Sequence, residues 1–546
     1  MASEQVCRRD RVSTWWGFVA AGLVSAATLL PFLRKAYNID DLTFLLQAQH
    51  MQVDPLHPTA FDMVFHGQVL RVSKSLVSGP VMATLLLPSV ALGGAEWLTH
   101  LVQLALLCFS ALSTARLGQR LGLTQAESGI AALFMVAAPG VLAMAGTAMP
   151  DVPALCFLTA GIERLLAWKA ERRPLALFAA VVLLALAVLA RPHSLLGLGI
   201  AALLWTDDKD WQAGLRAVLR SSLGALPYLL LTAGLLFLIN RLTRDPQAGR
   251  DVAAATMSRL MTRWFWHNLA TIPAQWLLTF PLVLPWIAAD LRGFFRRPST
   301  WLFLFAGGYL GMKLGMGTLP PTYARPFAVV VTGLGSAVLM NILIEGLARR
   351  DRVQVALGLW LLLSLPATFY DHLPVKYLVP SAPAMAILLV RRYRKRAPAR
   401  LAPMAIASAL VGMVIAVLVL RADSSLAEIG RRGGQIVAWL RTSGRVQNVW
   451  MDGAWGFQWY AVQAGARPMT QNPPYPQPGD VVVVGPQGGR INLIQRRTLL
   501  NVQRFQATAG WVLGYGAGFF TNGFGALPWW FGPGELGRIE VWRIER

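Results

Sequence analysis

Residues 401–420 read LAPMAIASALVGMVIAVLVL, and residues 177–190 read LFAAVVLLALAVLA. Both apolar runs approach the roughly 20 residues that a helix needs to cross about 30 Å of hydrocarbon. The whole chain of 546 residues is 55% apolar and only 14% charged, with a mean hydropathy of +0.48. Soluble globular chains usually carry about 25% charged residues. The sequence therefore predicts an integral membrane protein, mainly α-helical, whose spanning helices form a polytopic bundle.

The apolar runs predict about thirteen spanning helices. The run from Trp15 to Leu33 is too long for a signal peptide and lacks a small-residue cleavage site, so it is predicted to be a retained first helix. The block 76–94 is predicted to be a juxtamembrane or re-entrant helix, because counting it as a span would invert every later loop. The predicted spans lie near 14–33, 97–115, 128–146, 152–168, 175–190, 193–205, 221–239, 274–289, 300–316, 326–345, 354–370, 376–390 and 401–420.

The basic residues predict the orientation of these spans. The net charge is +23, but Lys and Arg occur in short clusters between apolar blocks, which argues against a nucleic-acid partner. With the N-terminus cytoplasmic, the inner segments hold 23 Lys and Arg, whereas most basic residues of the outer loops lie in the two long ones. We therefore expect a multi-pass protein of a bacterial inner membrane, with residues 1–420 in or beside the bilayer and residues 421–546 outside the cell or in the periplasm.

The C-terminal residues 421–546 are predicted to form an extracytoplasmic α/β domain. Ser424 to Arg441 has a helical pattern, whereas NVW near 448, VVVV at 481–484 and the closing EVWRI favour strands. Cys7, Cys108 and Cys156 are the three cysteines, and none lies in this domain. Their spacing provides neither a disulfide framework nor a CxxC metal site.

Candidate chemistry is concentrated on the predicted outer side. The first outer loop, 34–96, contains Asp40 and Asp41 directly before a short apolar helix, LTFLLQAQ. One Asp would suffice as a helix cap, so the second leaves open a catalytic or ion-binding role. The other ionisable residues of this loop, which we consider candidates for acceptor binding or support, are His50, Asp54, His57, Asp62, His66, Arg71 and Lys74.

A second acidic residue and several cations lie on the same predicted side. Asp151 lies in a short turn between Pro150 and Pro153, where it could equally be a helix cap. Cations at a membrane border often extend to the interface. Several cations on the outer face, where the positive-inside rule predicts few, instead favour a site for an anion such as phosphate. The residues that suggest this site are Arg191, Arg325, Lys376 and Tyr377.

The outer loop 240–273 carries basic and aromatic residues together. An amphipathic interfacial helix with an aromatic anchor explains this composition better than a catalytic role. The residues are Arg241, Arg244, Arg250, Arg259, Arg263, Trp264, Trp266 and His267.

Three segments in this order resemble the GT-C membrane glycosyltransferases, in particular the protein O-mannosyltransferases and the aminoarabinose transferases that modify lipid A. They are IDDLTFLLQAQHMQVDPLHP at 39–58, MPDVPAL at 149–155 and KYLVPSAPAMAIL at 376–388. The resemblance extends over most of residues 14–420. Two departures stand out: Asp40-Asp41 where the family often has Asp-Glu, and Ser78-Gly79-Pro80 where it often has paired prolines.

The resemblance implies transfer of a sugar from a polyprenyl phosphate at the outer face. By position, Asp40 matches the catalytic aspartate, Asp41 the acidic residue after it, Asp151 the second outer acidic residue and Lys376 the basic residue near the donor phosphate. Such a displacement requires a base for the acceptor proton and cations for the departing phosphate. We therefore expect Asp40 to be the base of a single, inverting displacement and Asp41 and Asp151 to position the acceptor or a metal. Arg191, Arg325 and Lys376 are expected to contact the lipid-linked phosphate. A divalent metal at Asp40, Asp41 or Asp151 is left open, since no spacing is diagnostic.

Two other classes of function remain open at this point. A lipid-linked oligosaccharide ligase or polymerase would depend on Arg and His of the loop 240–273 rather than on Asp40. A polytopic transporter would be expected to show internal repeats and broken helices at mid-membrane, and the sequence shows no convincing repeat. The sugar and the acceptor, whether glycan, lipid or protein, are not specified by the sequence.

Overall fold

The computed structural model describes residues 2–75, 79–245, 265–314, 321–369, 373–444, 446, 448–507, 511–513, 529–531 and 534–546. Within these residues the chain is mainly helical and has a sheet in its C-terminal part, as the sequence predicts. The helices up to residue 245 are α1 (Ala2–Leu29), α2 (Asp41–Met51), α3 (Val72–Ser75), α4 (Val81–Ala91), α5 (Glu96–Arg120), α6 (Gln125–Val136), α7 (Pro139–Ala145), α8 (Asp151–Glu171), α9 (Pro174–Ala190), α10 (Leu196–Trp205), α11 (Asp208–Ala213), α12 (Leu215–Ser222) and α13 (Leu226–Leu242).

The remaining helices complete the bundle and connect it to the C-terminal domain. Short 3-10 segments precede or link several of them, notably Pro192–Leu195 before α10 and Val375–Ser381 before α20. The helices are α14 (Phe265–Leu278), α15 (Val283–Ala288), α16 (Leu291–Phe295), α17 (Pro298–Gly311), α18 (Pro321–Ala348), α19 (Arg352–Trp360), α20 (Ala382–Arg396), α21 (Leu401–Thr442) and α22 (Trp455–Gln463).

Five helices of the described residues are long and apolar enough to cross a membrane: Glu96–Arg120, Leu215–Leu242, Arg325–Ala348, Arg352–Phe369 and Pro398–Thr442. The pair α6 and α7, bent by 67°, would be a sixth. The expected number of about thirteen is therefore not confirmed. Proline and glycine interrupt several predicted spans, so that apolar runs such as Pro174–Ala190 and Pro192–Trp205 form shorter helices.

The first outer loop contains three short helices, α2, α3 and α4, and a hairpin. Strands β1 (Asp62–Phe65) and β2 (Gln68–Arg71) pair antiparallel through the two-residue turn His66-Gly67. Both turn residues have positive φ, 47° and 78°, as the twist of a tight hairpin requires. Helix α4 has 11 residues and is about 16 Å long, which is too short to cross the hydrocarbon, and its juxtamembrane position stays a prediction.

Helix α21 runs without a break from Leu401 to Thr442, a length of about 63 Å. The boundary that the sequence suggested between residues 420 and 421 therefore lies inside one helix, which continues from the apolar segment into the C-terminal domain. No proline occurs in it after Pro403, so nothing in its second half interrupts the backbone hydrogen bonds.

The C-terminal domain is built on a five-stranded mixed sheet. Its strand order is β4-β3-β5-β9-β6, with β3 parallel to β4 and β5, and β9 antiparallel to β5 and β6. The predicted strands at 448, 481–484 and the chain end are confirmed. The strands are β3 (Val449–Asp452), β4 (Arg467–Pro468), β5 (Val481–Val484), β6 (Arg497–Ala507) and β9 (Gly534–Ile544), with a separate pair β7 (Trp511–Leu513) and β8 (Trp529–Phe531).

The C-terminal domain packs directly on the first outer loop. The backbone N–H of Tyr37 donates to the hydroxyl of Tyr460 at 2.9 Å, and Gln458 donates to the carbonyl of Val64 at 2.8 Å. At Gly456 a Cβ atom would lie 2.1 Å from the carbonyl oxygen of Tyr37, so only glycine allows this approach. The hairpin and the start of α22 are thus held against each other above the helices.

Candidate active site

Asp40 lies directly before α2 and is held there by an unusual backbone. Ile39 has a φ of 47°, a left-handed conformation that is sterically unfavourable for a β-branched residue. Such outliers cluster at functional sites. The Asp40 side chain makes no capping hydrogen bond to α2. Instead its Oδ2 accepts a charged hydrogen bond from Lys376 Nζ at 2.7 Å, and the two side chains are 36% and 5% exposed.

Asp41 is buried and its two oxygens accept backbone N–H groups. Oδ2 accepts from Asn38 and Oδ1 from Ala148, both at 2.9 Å. Burial raises the pKa of this carboxyl to about 6. Since Ala148 belongs to the turn before α8, Asp41 ties the first outer loop to the segment that carries Asp151. This geometry suits a positioning role better than contact with a substrate.

A buried ion pair lies behind this carboxyl. Lys35 Nζ and Asp423 Oδ2 are 2.6 Å apart, and Asn38 Nδ2 donates to the other oxygen of Asp423 at 3.0 Å. Both charged side chains are almost completely inaccessible to solvent. The pair connects the first outer loop to α21 and thereby fixes the backbone on the N-terminal side of Asp40.

Asp151 and Arg191 form a bidentate ion pair. Arg191 Nε and Nη2 donate to the two Asp151 oxygens at 2.9 and 2.7 Å, and the side chains are 8% and 0% exposed. Asp151 starts α8, while Arg191 lies in extended backbone between α9 and the 3-10 turn that precedes α10. These two parallel hydrogen bonds fix the plane of the guanidinium group.

Tyr377 joins this pair to Lys376. The Arg191 guanidinium carbon lies 5.1 Å from the centroid of the Tyr377 ring, and Lys376 Nζ lies 6.0 Å from it. The ring of His193 packs against the same tyrosine at 5.4 Å. Five of the residues predicted as catalytic or phosphate-binding therefore lie in one contiguous cluster, which we call the Asp40 cluster: Asp40, Asp151, Arg191, Lys376 and Tyr377.

The hairpin tip and the C-terminal domain border the Asp40 cluster. The His66 ring meets the Trp455 ring edge-on at 5.7 Å, and the Arg490 side chain covers Gly67, where a Cβ would lie 2.4 Å from its Cδ. Burial and the charge of Arg490 hold the pKa of His66 below its usual range, with Asp40 acting in the opposite direction. Sequence reasoning missed Trp455 and Arg490, since nothing local to either residue signals this contact.

The other candidates of the first outer loop have contacts that support the loop itself. Asp54 and His57 pair at 3.0 Å, and the His50 ring packs on Phe61 at 4.9 Å. Arg71 donates to Asp245 at 2.7 and 3.1 Å and approaches Asp62 at 3.5 Å. Lys74 is exposed.

The remaining predicted cations lie on or near the second long loop and on α18. Arg325 is exposed on α18, and its part in phosphate binding remains a prediction. Trp266 is exposed, as an interfacial anchor requires, whereas His267 is buried in α14. Arg241 and Arg244 are exposed at and just beyond the end of α13. Arg250, Arg259, Arg263 and Trp264 lie outside the described residues.

The described residues contain no group of three or more His, Cys, Asp or Glu side chains that could hold a metal ion. The three carboxylates considered for a metal each have other partners. Asp40 pairs with Lys376, Asp41 accepts backbone N–H groups and Asp151 pairs with Arg191. Because each carboxylate already has these partners, the three do not form a shared cation site.

No protein-family model and no curated protein sequence matches the chain. Solved structures to which it is similar include the Archaeoglobus fulgidus oligosaccharyltransferase AglB, determined with Zn and sulfate (13% identity, TM-score 0.43, 85% of this chain and 59% of that chain). This chain thus spans about three fifths of the length of AglB.

Two further solved structures show a similar level of likeness. ArnT from Cupriavidus metallidurans, bound to undecaprenyl phosphate, has 14% identity and a TM-score of 0.44 over 89% of this chain and 95% of that chain. The mycobacterial arabinofuranosyltransferase AftD has 14% identity and a TM-score of 0.41 over 97% of this chain and 40% of that chain. The TM-score of each of these three likenesses lies below 0.5.

Proposed function

We propose that this multi-pass membrane protein transfers a sugar from a polyprenyl-phosphate donor to a hydroxyl-bearing acceptor by a single, inverting displacement. The observation that carries this proposal is the Asp40 cluster, in which one accessible carboxylate meets a lysine and a fixed arginine. All of its charged residues come from segments that the charge pattern places on the outer side of the membrane. We therefore propose that transfer occurs at the outer face of a bacterial inner membrane.

Asp40 is the carboxylate best suited to be the base. Both oxygens of Asp41 are occupied by backbone N–H groups, and both oxygens of Asp151 by Arg191. Asp40 is more exposed than either, so an acceptor hydroxyl can approach it. The carboxylate of Asp40 pairs with the ammonium group of Lys376, and a carboxylate can accept the proton of an acceptor hydroxyl.

Lys376 and Arg191 are positioned to bind the leaving group. In the proposed step the acceptor oxygen bonds to the anomeric carbon while the bond from that carbon to the phosphate oxygen breaks. The bonding electrons leave with the polyprenyl phosphate, and the acceptor proton passes to Asp40. Attack opposite the leaving group inverts the anomeric configuration. The developing charge on phosphate is stabilised by Lys376 and by Arg191, whose orientation Asp151 fixes in advance.

The acceptor is proposed to approach the Asp40 cluster along the border that the hairpin tip and the C-terminal domain form together. His66, Trp455 and Arg490 form this border, and two of the three have ring faces on which an apolar sugar face could stack. Residues from two distant parts of the sequence meet here, so acceptor choice would depend on the C-terminal domain as well as on the first outer loop.

Transfer of radiolabelled sugar from polyprenyl-phosphate donors by membranes that contain the protein tests the proposal. We expect Asp40→Asn to lower the rate by about 10²–10⁴-fold, the usual contribution of a general base. The matched control is Asp54→Asn in the same loop, whose partner is His57, and we expect it to transfer normally. Lys376→Met should lower transfer and weaken donor binding together.

Three results would count against the proposal. Full transfer by Asp40→Asn at normal membrane abundance would remove the base assignment. Equal losses in Asp40→Asn and Asp54→Asn would indicate damage to the loop rather than to the chemistry. No transfer by the wild type from any donor tried would favour a ligase or a transporter instead.

A further inference from the structure

A second charged cluster lies at the other end of the helix that follows Lys376. Sixteen residues separate Lys376 from Arg392, which corresponds to at least about 24 Å of helical rise, most of the thickness of the hydrocarbon layer. Six basic side chains surround three carboxylates there. The cations are Arg297, Arg349, Arg391, Arg392, Lys395 and Arg396, and the anions are Asp290, Glu345 and Asp351.

The three carboxylates do not neutralise the six cations. Glu345 alone is shared by Arg297 at 2.8 Å, Arg349 at 3.0 Å and Arg392 at 3.3 Å. Asp351 is shared by Arg391 and Lys395, and Asp290 lies 3.5 Å from Arg396. The cluster therefore has an excess of three positive charges, concentrated around one cavity.

Arg392 is the most informative member of this cluster. It is 5% exposed, and its guanidinium lies 4.8 Å from the centroid of the Trp286 ring. Its Nε and Nη2 atoms are buried and have no hydrogen-bond partner among the described residues. The approach of Nη2 to Asp290 at 3.7 Å is an ion pair but is too long for a hydrogen bond. Buried donors are normally satisfied, so an acceptor group is required here.

The cavity beside Arg392 has room for about one water-sized group, such as a single phosphate oxygen. It is lined by Trp286, Gln354 and Leu388 together with Glu345 and five of the basic side chains, Arg349, Arg391, Arg392, Lys395 and Arg396. The planar guanidinium group of arginine can donate two parallel hydrogen bonds to phosphate oxygens. A basic pocket between helices near the membrane surface is therefore suited to a lipid head group. Leu291 and Leu347, close in sequence to Asp290 and Glu345, are exposed apolar side chains.

We propose that this cavity receives one phosphate oxygen of an anionic phospholipid from the leaflet opposite the Asp40 cluster, while the more exposed basic side chains at its mouth bind the other phosphate oxygens. The phosphate oxygens accept hydrogen bonds from Arg392 and its basic neighbours, and the acyl chains lie against the apolar surface of Leu291 and Leu347. The lipid stabilises α20 against α18 and so supports the helix whose preceding segment carries Lys376. This site is independent of the proposed transfer reaction.

The test uses the purified full-length protein in nanodiscs of phosphatidylcholine with and without phosphatidylglycerol. The readout is the Tm from tryptophan fluorescence as phosphatidylglycerol is increased. We compare wild type, Arg392→Gln and Arg396→Gln. The matched control is Arg216→Gln, an exposed arginine on α12 at the same membrane face, which is connected to this end by a hydrogen bond from Arg350 to the Gln212 carbonyl.

We expect phosphatidylglycerol to raise the Tm of wild type and of Arg216→Gln alike. In Arg396→Gln and Arg392→Gln the lipid concentration at half-effect should rise about tenfold, as expected for the loss of one charged hydrogen bond. Arg396 is more accessible than Arg392, so Arg396→Gln keeps the test decisive if Arg392→Gln does not fold.

Two outcomes overturn the proposal. An equal rise in all four proteins would show a general charge effect of the bilayer. A rise of the same size on adding inorganic phosphate to phosphatidylcholine nanodiscs, without any further effect of phosphatidylglycerol, would show that the site takes a soluble anion. Neither outcome depends on the activity of Asp40 variants.

Discussion

The Arg191–Asp151 pair allows the structural and catalytic roles of one arginine to be separated. We consider three variants: Arg191→Met, Asp151→Asn and the double substitution. In the native protein the pair is bidentate, at 2.7 and 2.9 Å, and almost completely buried. Each single change therefore leaves an uncompensated charge in a site from which water is excluded.

The expected effect on stability follows from this burial. Removing one partner of a buried pair typically destabilises a protein by about 3–5 kcal/mol, whereas replacing both partners with uncharged groups is often nearly neutral. We therefore expect both single variants to lose stability strongly and the double variant to recover most of it. The coupling energy should be about 3 kcal/mol or more.

Thermal unfolding of the purified proteins in detergent measures this cycle, and sugar transfer is measured on the same samples. If Arg191 contacts the donor phosphate, the double variant is folded but transfers poorly, with a raised KM for the donor. If Arg191 only holds α8 and α9 together, the double variant transfers normally, and that result would refute its place in the phosphate site. Additive stability losses would refute the ion-pair reasoning.

Three further predictions concern residues around the same site. The pKa of Asp41 is about 6 in the folded protein and 3.8 for an ordinary Asp, so the folded state binds more protons between these values. The free energy of unfolding should therefore fall by up to about 3 kcal/mol as the pH rises through that window. Asp41→Asn should flatten the profile of Tm against pH, and an unchanged profile would contradict the assignment of this raised pKa to Asp41. Gly456→Ala places a methyl group against the Tyr37 carbonyl and should destabilise by about 1–3 kcal/mol. Gly199→Ala, a helix position with open space, should be neutral or slightly stabilising in the same unfolding assay. Trp455→Ala should raise the KM for the acceptor and leave the KM for the donor unchanged, whereas equal changes in both would place Trp455 outside the acceptor path.

The sequence predicts the helical architecture because long apolar runs have few alternatives in a membrane. The β-strands at Val449–Asp452 and Val481–Val484 could also be predicted, since short runs of β-branched or aromatic residues bounded by turn residues favour strands. The number of spans could not be predicted, because prolines and glycines divide apolar runs into shorter helices. The depth of these helices in the membrane depends on their neighbours. The polar residues after Leu420 suggested a domain boundary, although the helix continues through them.

For the site, the most useful information in the sequence was the predicted side of the membrane on which each residue lies. Asp40, Asp151, Arg191 and Lys376 were grouped because they fell on one predicted face, and the structure places them in one cluster. Only the family resemblance assigned the base to Asp40 rather than Asp41, because the difference between their hydrogen-bond partners cannot be derived from the residues themselves. Trp455 and Arg490 could not be found, because their place beside His66 arises from packing between segments hundreds of residues apart.

The unbroken helix Leu401–Thr442 would move as one rigid rod if it tilted. At Gly412 it is so close to the Ala137 carbonyl that a Cβ would lie 1.8 Å away, while Gly430 and Gly434 hold it against the helix that starts at Trp455. About 45 Å of rod extends from Gly412 to Thr442, so a tilt of about 5° at this pivot would displace the far end by about 4 Å. A change in bilayer thickness that tilts this helix would therefore move the C-terminal domain relative to the lipid, and with it the rim of the acceptor entrance.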